Sequence, residues 1–120
     1  MEKIITVMFY KTSAGNEPVR EWLKSLEPIE NRKAIGADLK TVEQGWPIGM
    51  PTCRPMEGTK GLFEVRTNIS DKRIARVLFV ISGGYMVLLH GFIKKEKKTP
   101  KKDLDLAKKR MKEILNEKDK

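Results

Sequence analysis

Three features of the chain predict an α+β fold. Apolar, β-branched runs follow one another closely in the second half, two helical stripes separate them from an earlier strand, and a final amphipathic stripe comes last. The predicted order is strand, two helices, a three-stranded antiparallel meander and a C-terminal helix. Such a twisted sheet buries one face under helices and leaves the other partly open. The 120 residues suit a single domain, 1–120, large enough for a continuous core without disulfides.

Residues 4–10, IITVMFY, are β-branched and aromatic and run into the turn-like TSAGN, which marks a buried strand. Pro18 suits a first helical turn, and Val19, Trp22, Leu23 and Leu26 then repeat at helical spacing. Pro28 breaks that helix. A second is expected over residues 30–44, with Ile35, Leu39 and Val42 on one face and Gly45 ending it. Residues 45–61 hold four glycines and three prolines without periodicity, so this stretch either lines a site or wraps the sheet edge. Strands follow at 62–67, 74–81 and 86–94, joined by a polar turn at 68–72 and by the hairpin-type turn Ser82, Gly83 and Gly84. Thr99 can cap the last helix with Pro100 in its first turn, and Leu104, Ala107, Met111, Ile114 and Leu115 form its apolar stripe. Residues 116–120 have lost that stripe and are expected to fray.

Charge is polarised along the chain. Residues 94–120 carry twelve Lys+Arg against six Asp+Glu, so a surplus of six of the net +9 lies in this last segment. Within it, IKKEKKTPKK sets six lysines between a strand and a helix. Like charges packed this densely repel one another until a counter-charge arrives, which points to a polyanion such as nucleic acid. The helical lysines from Lys108 onward also read as a solvated face. The single cysteine, Cys53, excludes an internal disulfide and suits a reducing cytoplasm. One histidine cannot supply a zinc-type cluster, so no metal or other cofactor is expected. The first residues lack an export signal, and no apolar run approaches the length that spans a bilayer, so neither export nor membrane insertion is expected.

Strand alternation in LFEVRT turns Phe63 and Val65 one way and Glu64 and Arg66 the other. If the aromatic face is core, Arg66 stands on the open face. Arg76 lies among strand hydrophobics in RIARVLFVI, where an arginine needs a carboxylate, a ligand or solvent beside it. Glu64 is one such partner. Lys94 and Lys95 close the last strand and can lie near Arg66 and Arg76. A sheet face presenting these cations suits a phosphate, and RNA cleavage by the ribose 2′-OH would gain from them because negative charge builds on the phosphoryl oxygens. That step also needs a proton acceptor and donor. His90 lies inside MVLLHGFI, where a satisfied sheet-face histidine is the preferred reading over a catalytic one; a lysine crowded by other cations is the other source of a base. Arg73, Lys97, Lys98, Lys101 and Lys102 are candidate RNA-binding residues around this face. Gly83 and Gly84 form no phosphate loop, and Cys53 has no cue for activation.

The segments GLFEVRTN, RIARVLF and VLLHGFIKKEKKTPKKDLDLAKKR together resemble the phage-related HigB-like toxins of type II toxin-antitoxin modules, in the RelE/ParE superfamily. The likeness covers nearly the whole chain and is most specific over residues 88–110. It implies a RelE/ParE-like fold and a cytoplasmic, metal-independent endoribonuclease. Such a toxin cuts mRNA in the ribosomal A site, beside 16S rRNA, and is restrained by a cognate HigA-like antitoxin with a helix-turn-helix domain. By the same resemblance the catalytic positions are Arg66, Arg76, Lys95 and the adjoining Lys94. Glu64 replaces the first basic position of the RelE strand pair, and the C-terminal tyrosine of RelE has no counterpart among Thr99, Pro100 and Lys101. ParE relatives share the fold but poison DNA gyrase by binding it. That activity and non-catalytic RNA binding are the alternatives.

Overall fold

The computed structural model describes residues 5–47, 53–56, 59–94 and 99–118. Strand β1 (Thr6–Phe9) leads to helices α1 (Pro18–Ser25) and α2 (Ile29–Gly45), then to strands β2 (Cys53–Pro55), β3 (Leu62–Asn68), β4 (Ile74–Ser82) and β5 (Tyr85–Lys94), and to helix α3 (Lys101–Lys118). The strands form one mixed sheet in the order β1-β5-β4-β3-β2. The meander β3-β4-β5 is antiparallel, as alternation and turns predict, and β1 lies parallel to β5 with Thr6 opposite Tyr85. From the aperiodic stretch, Cys53, Arg54 and Pro55 line the sheet edge, pairing antiparallel with Val65, Glu64 and Phe63.

The hairpin between β4 and β5 turns on Gly83 and Gly84, whose φ values of 59° and 81° are left-handed. Glycine adopts that conformation without a Cβ penalty, and two such residues in succession match the twist of the flanking strands. At the other margin, the Thr6 amide donates to the carbonyl of Gly84, just before β5, so the next amide, Val7, points away from the sheet. It donates to Glu43 Oε2 of α2 at 2.7 Å.

Both sheet faces are covered, each by a different helical layer. Under α1 and α2 lie Val19, Ile35, Leu39 and Val42, packed on Val65, Val77, Phe79, Met86 and Leu88. Trp46, Phe63 and Phe79 add an aromatic group on this side, with ring centroids 5.0 to 5.7 Å apart. Under α3, Ala107 and Met111 meet Leu62, Leu78, Val80, Val87, Leu89 and Phe92. The expectation of an open second face therefore holds only away from α3, which packs on β4 and β5. Helix α3 also runs to Lys118, past the point at Asn116 where loss of the apolar stripe predicts fraying. Among the described residues no helix is long and apolar enough to cross a membrane.

Candidate anion-binding site

Strand register assembles a charged cluster on the α3 side of the sheet. Arg54 of β2 lies opposite Glu64 of β3, and Arg66 of β3 lies opposite Arg76 of β4, so three neighbouring strands bring guanidiniums to one carboxylate. Glu64 is fully buried. Its two oxygens are used differently. Oε1 accepts from Arg54 Nε at 3.0 Å and has Arg66 Nε at 3.7 Å, while Oε2 accepts from the Thr99 hydroxyl at 3.0 Å and from Arg76 Nη1 at 3.5 Å. Arg76 also donates to the Thr99 hydroxyl at 3.4 Å.

Exposure divides the cluster in the same way. The side chain of Arg76 is 0% exposed, whereas Arg54 and Arg66 keep 31% and 22% of theirs in solvent. Burial holds the Arg76 guanidinium below its ordinary pKa; Glu64 pulls it back up, and Arg66 and Arg54 push it down further. Among the described residues, three guanidiniums at one carboxylate leave a local surplus of two positive charges. A surplus of this kind, at the margin of a desolvated site, favours an incoming anion.

Helix α3 is fastened to this face by its first turn. Thr99, expected as an N-cap, instead sends its hydroxyl into the sheet to Glu64, and the first helical backbone bond runs from the Leu104 amide to the Pro100 carbonyl. One turn later Asp103 Oδ1 lies 2.7 Å from His90 Nε2. His90 also stacks on Phe92 at 5.5 Å, which agrees with the reading of a satisfied sheet-face histidine. Lys101 and Lys102 are exposed at the same helix end. Cations there are unfavourable against the helix macrodipole, so they add to a positive potential already present.

The remaining predicted residues separate. Lys94 lies opposite Ile74, next to the Arg76 and Phe92 pair, and by alternation shares their face. Arg73 belongs to the β3-β4 turn, where it donates to the Ser70 carbonyl at 3.2 Å and to the Ser70 hydroxyl at 3.2 Å. Lys95, Lys97 and Lys98 lie outside the described residues. Arg54 was not anticipated, because it stands in a stretch without periodicity; the only signal was its place between two residues, Cys53 and Pro55, that alternate with it. Cys53 faces the other way, into the apolar layer, and burial followed by the charge of Glu64 pushes its thiol up to about 11. It is protonated at neutral pH and is no nucleophile.

Residues 21–112 match the model of the family described as Phage derived protein Gp49-like (DUF891). The chain belongs to that family. Gp49-like proteins are a RelE/ParE-like toxin family of toxin-antitoxin systems. The match runs from within α1 through most of α3 and so contains the whole Glu64 cluster. No curated protein matches the chain.

Proposed function

We propose that this Gp49-like protein is the toxin of a toxin-antitoxin module, HigB-like in kind, and that it cleaves mRNA on the ribosome in the cytoplasm. The observation that carries this reading is the cationic surplus around Glu64 in a chain of a RelE/ParE-like toxin family, with Lys94 on the same sheet face and Lys101 and Lys102 exposed at the start of α3. In the reaction the ribose 2′ oxygen bonds to phosphorus and the bond from phosphorus to the 5′ oxygen breaks. The 2′ proton goes to a base and the departing 5′ oxygen takes up a proton, leaving a 2′,3′-cyclic phosphate and a 5′-hydroxyl. Charge builds on the non-bridging oxygens, and fixed cations stabilise it more than they stabilise the substrate.

Arg66 is the first contact for that phosphate, since its guanidinium reaches solvent. Arg76, fully enclosed, acts from behind through Glu64. Lys94 joins the site from the end of β5, the family resemblance adds Lys95, and Arg73, Lys97, Lys98, Lys101 and Lys102 are the residues proposed to guide the RNA. The partners are mRNA and 16S rRNA at the A site and a cognate HigA-like antitoxin with a helix-turn-helix domain.

A purified translation reaction tests the reading. The protein should cut mRNA only when ribosomes are present and leave 2′,3′-cyclic phosphate ends, and Arg66→Ala should lower the rate by about a hundredfold. Intact mRNA together with blocked gyrase supercoiling would instead identify a ParE-like inhibitor.

A further inference from the structure

Glu64 stands where RelE relatives carry a basic residue, and Arg54 reaches it from the edge strand β2. The geometry gives both a purpose. Glu64 Oε2 is held from within by the buried pair Arg76 and Thr99, while Oε1 faces the two arginines that keep solvent exposure, Arg54 and Arg66. One oxygen therefore anchors the carboxylate, and the other holds two guanidiniums side by side at the surface.

We propose that Arg54 is a phosphate-contacting residue of this site and that Glu64 is its positioning residue. When RNA arrives, Arg54 keeps its Nε on Oε1 and offers its terminal nitrogens to the phosphodiester, Arg66 turns from Oε1 to the same group, and Oε2 stays with Arg76 and Thr99. This rests on the RNA-cleaving reading above and adds its substrate-side detail.

Physical reasons favour the exchange. Arginine side chains released from separate positions would have to be ordered at the moment of binding, and that ordering opposes affinity. A carboxylate that already holds both in one place removes most of that loss. Its contact with Arg66, at 3.7 Å, is longer than a good hydrogen bond, so Arg66 gives up little on turning away. The Arg54 contact through Nε, at 3.0 Å, leaves its two terminal nitrogens for a phosphate, because guanidinium carries five donors. Glu64 does not touch the substrate.

Two variants and one spectrum test this. Arg54→Ala should lower mRNA cleavage in the translation reaction by about a hundredfold, as expected for loss of one donor to the developing charge. Arg54→Lys should recover binding to single-stranded 2′-O-methyl RNA, which cannot be cut, but not the rate, because lysine restores charge without the fork. Glu64→Gln should bind the 2′-O-methyl RNA about tenfold more tightly, since a negative charge leaves the site, and yet cleave at least about tenfold more slowly. A residue serving only the fold would lose both together. In the wild type, the Nε–H resonances of Arg54 and Arg66 should shift together when the 2′-O-methyl RNA is added, and that of Arg76 should stay. This arm holds even if Glu64→Gln fails to fold. A wild type that cuts mRNA alongside an equally active Arg54→Ala, or an Arg54 resonance indifferent to the RNA, overturns this inference alone. A wild type that neither binds nor cuts overturns the nuclease reading beneath it.

Discussion

On the side of α1 and α2, Val65, Val77 and Phe79 pack into an aliphatic and aromatic layer, whereas one residue along the same strands Glu64 and Arg76 are just as enclosed on the α3 side. The apolar layer gains directly from burial, by about 25 cal/mol for each square ångström removed from water. The charged cluster gains little that way, because desolvating ions offsets much of their attraction. A buried ion pair of this kind is therefore weak evidence for fold stability. The contrast teaches that this part of the sheet is specified by what its charges hold in place, while the opposite face is specified by fit.

The sharpest way to break that contrast is to truncate on each side. Phe79→Ala should cost about 3–5 kcal/mol by leaving a cavity in the aromatic group. Glu64→Ala should cost a similar amount, about 3–5 kcal/mol, for a different reason: Arg76 stays buried and loses its counter-charge. Urea denaturation of the double replacement Glu64→Leu with Arg76→Met separates the two causes. It should recover most of the loss, and a double variant as unstable as the two single losses combined would mean that packing alone accounts for both faces.

A smaller effect concerns how tightly the apolar layer fits. A Cβ added at Gly91 would meet the Trp22 ring at less than ordinary contact distance. Gly91→Ala should therefore lower stability by about 1–3 kcal/mol, and Trp22→Leu in that background should relieve part of it. No coupling between the two positions in thermal unfolding would show that the ring gives way freely.

The smallest effect is alkaline. The Cys53 thiol is raised from 9.0 to about 11 in the folded chain, so between those values the unfolded chain has lost a proton that the folded chain keeps. Its contribution is fully present below pH about 9 and falls as pH rises toward 11, by on the order of 1 kcal/mol at pH 10. Cys53→Ala should lack this increment when unfolding is compared at pH 8 and pH 10. Equal slopes for both chains would place the thiol outside the apolar layer.

Much of the architecture was legible because its signals are local. Helical spacing located α1 and α2, alternation located the meander, and paired glycines located the hairpin. The parallel partner of β1 was not legible, since nothing within residues 4–10 distinguishes the β5 edge from any other. Three-residue β2 was hidden by Gly45, Pro47, Pro51 and Pro55 around it; it is a strand only because β3 offers an edge. For the site, alternation set Glu64 and Arg66 on one side, and the need for an anion beside Arg76 named Glu64 as a partner. The full enclosure of Arg76 and the diversion of Thr99 from capping were out of reach, because both depend on how α3 settles on the sheet. Arg54 was missed for the reason that hid β2.

Both margins of the sheet are blunted. At one, the outward amide of Val7 is already taken by Glu43; at the other, among the described residues, β2 offers three residues ending in Pro55. A margin so treated gives a passing extended chain almost nothing to zip onto.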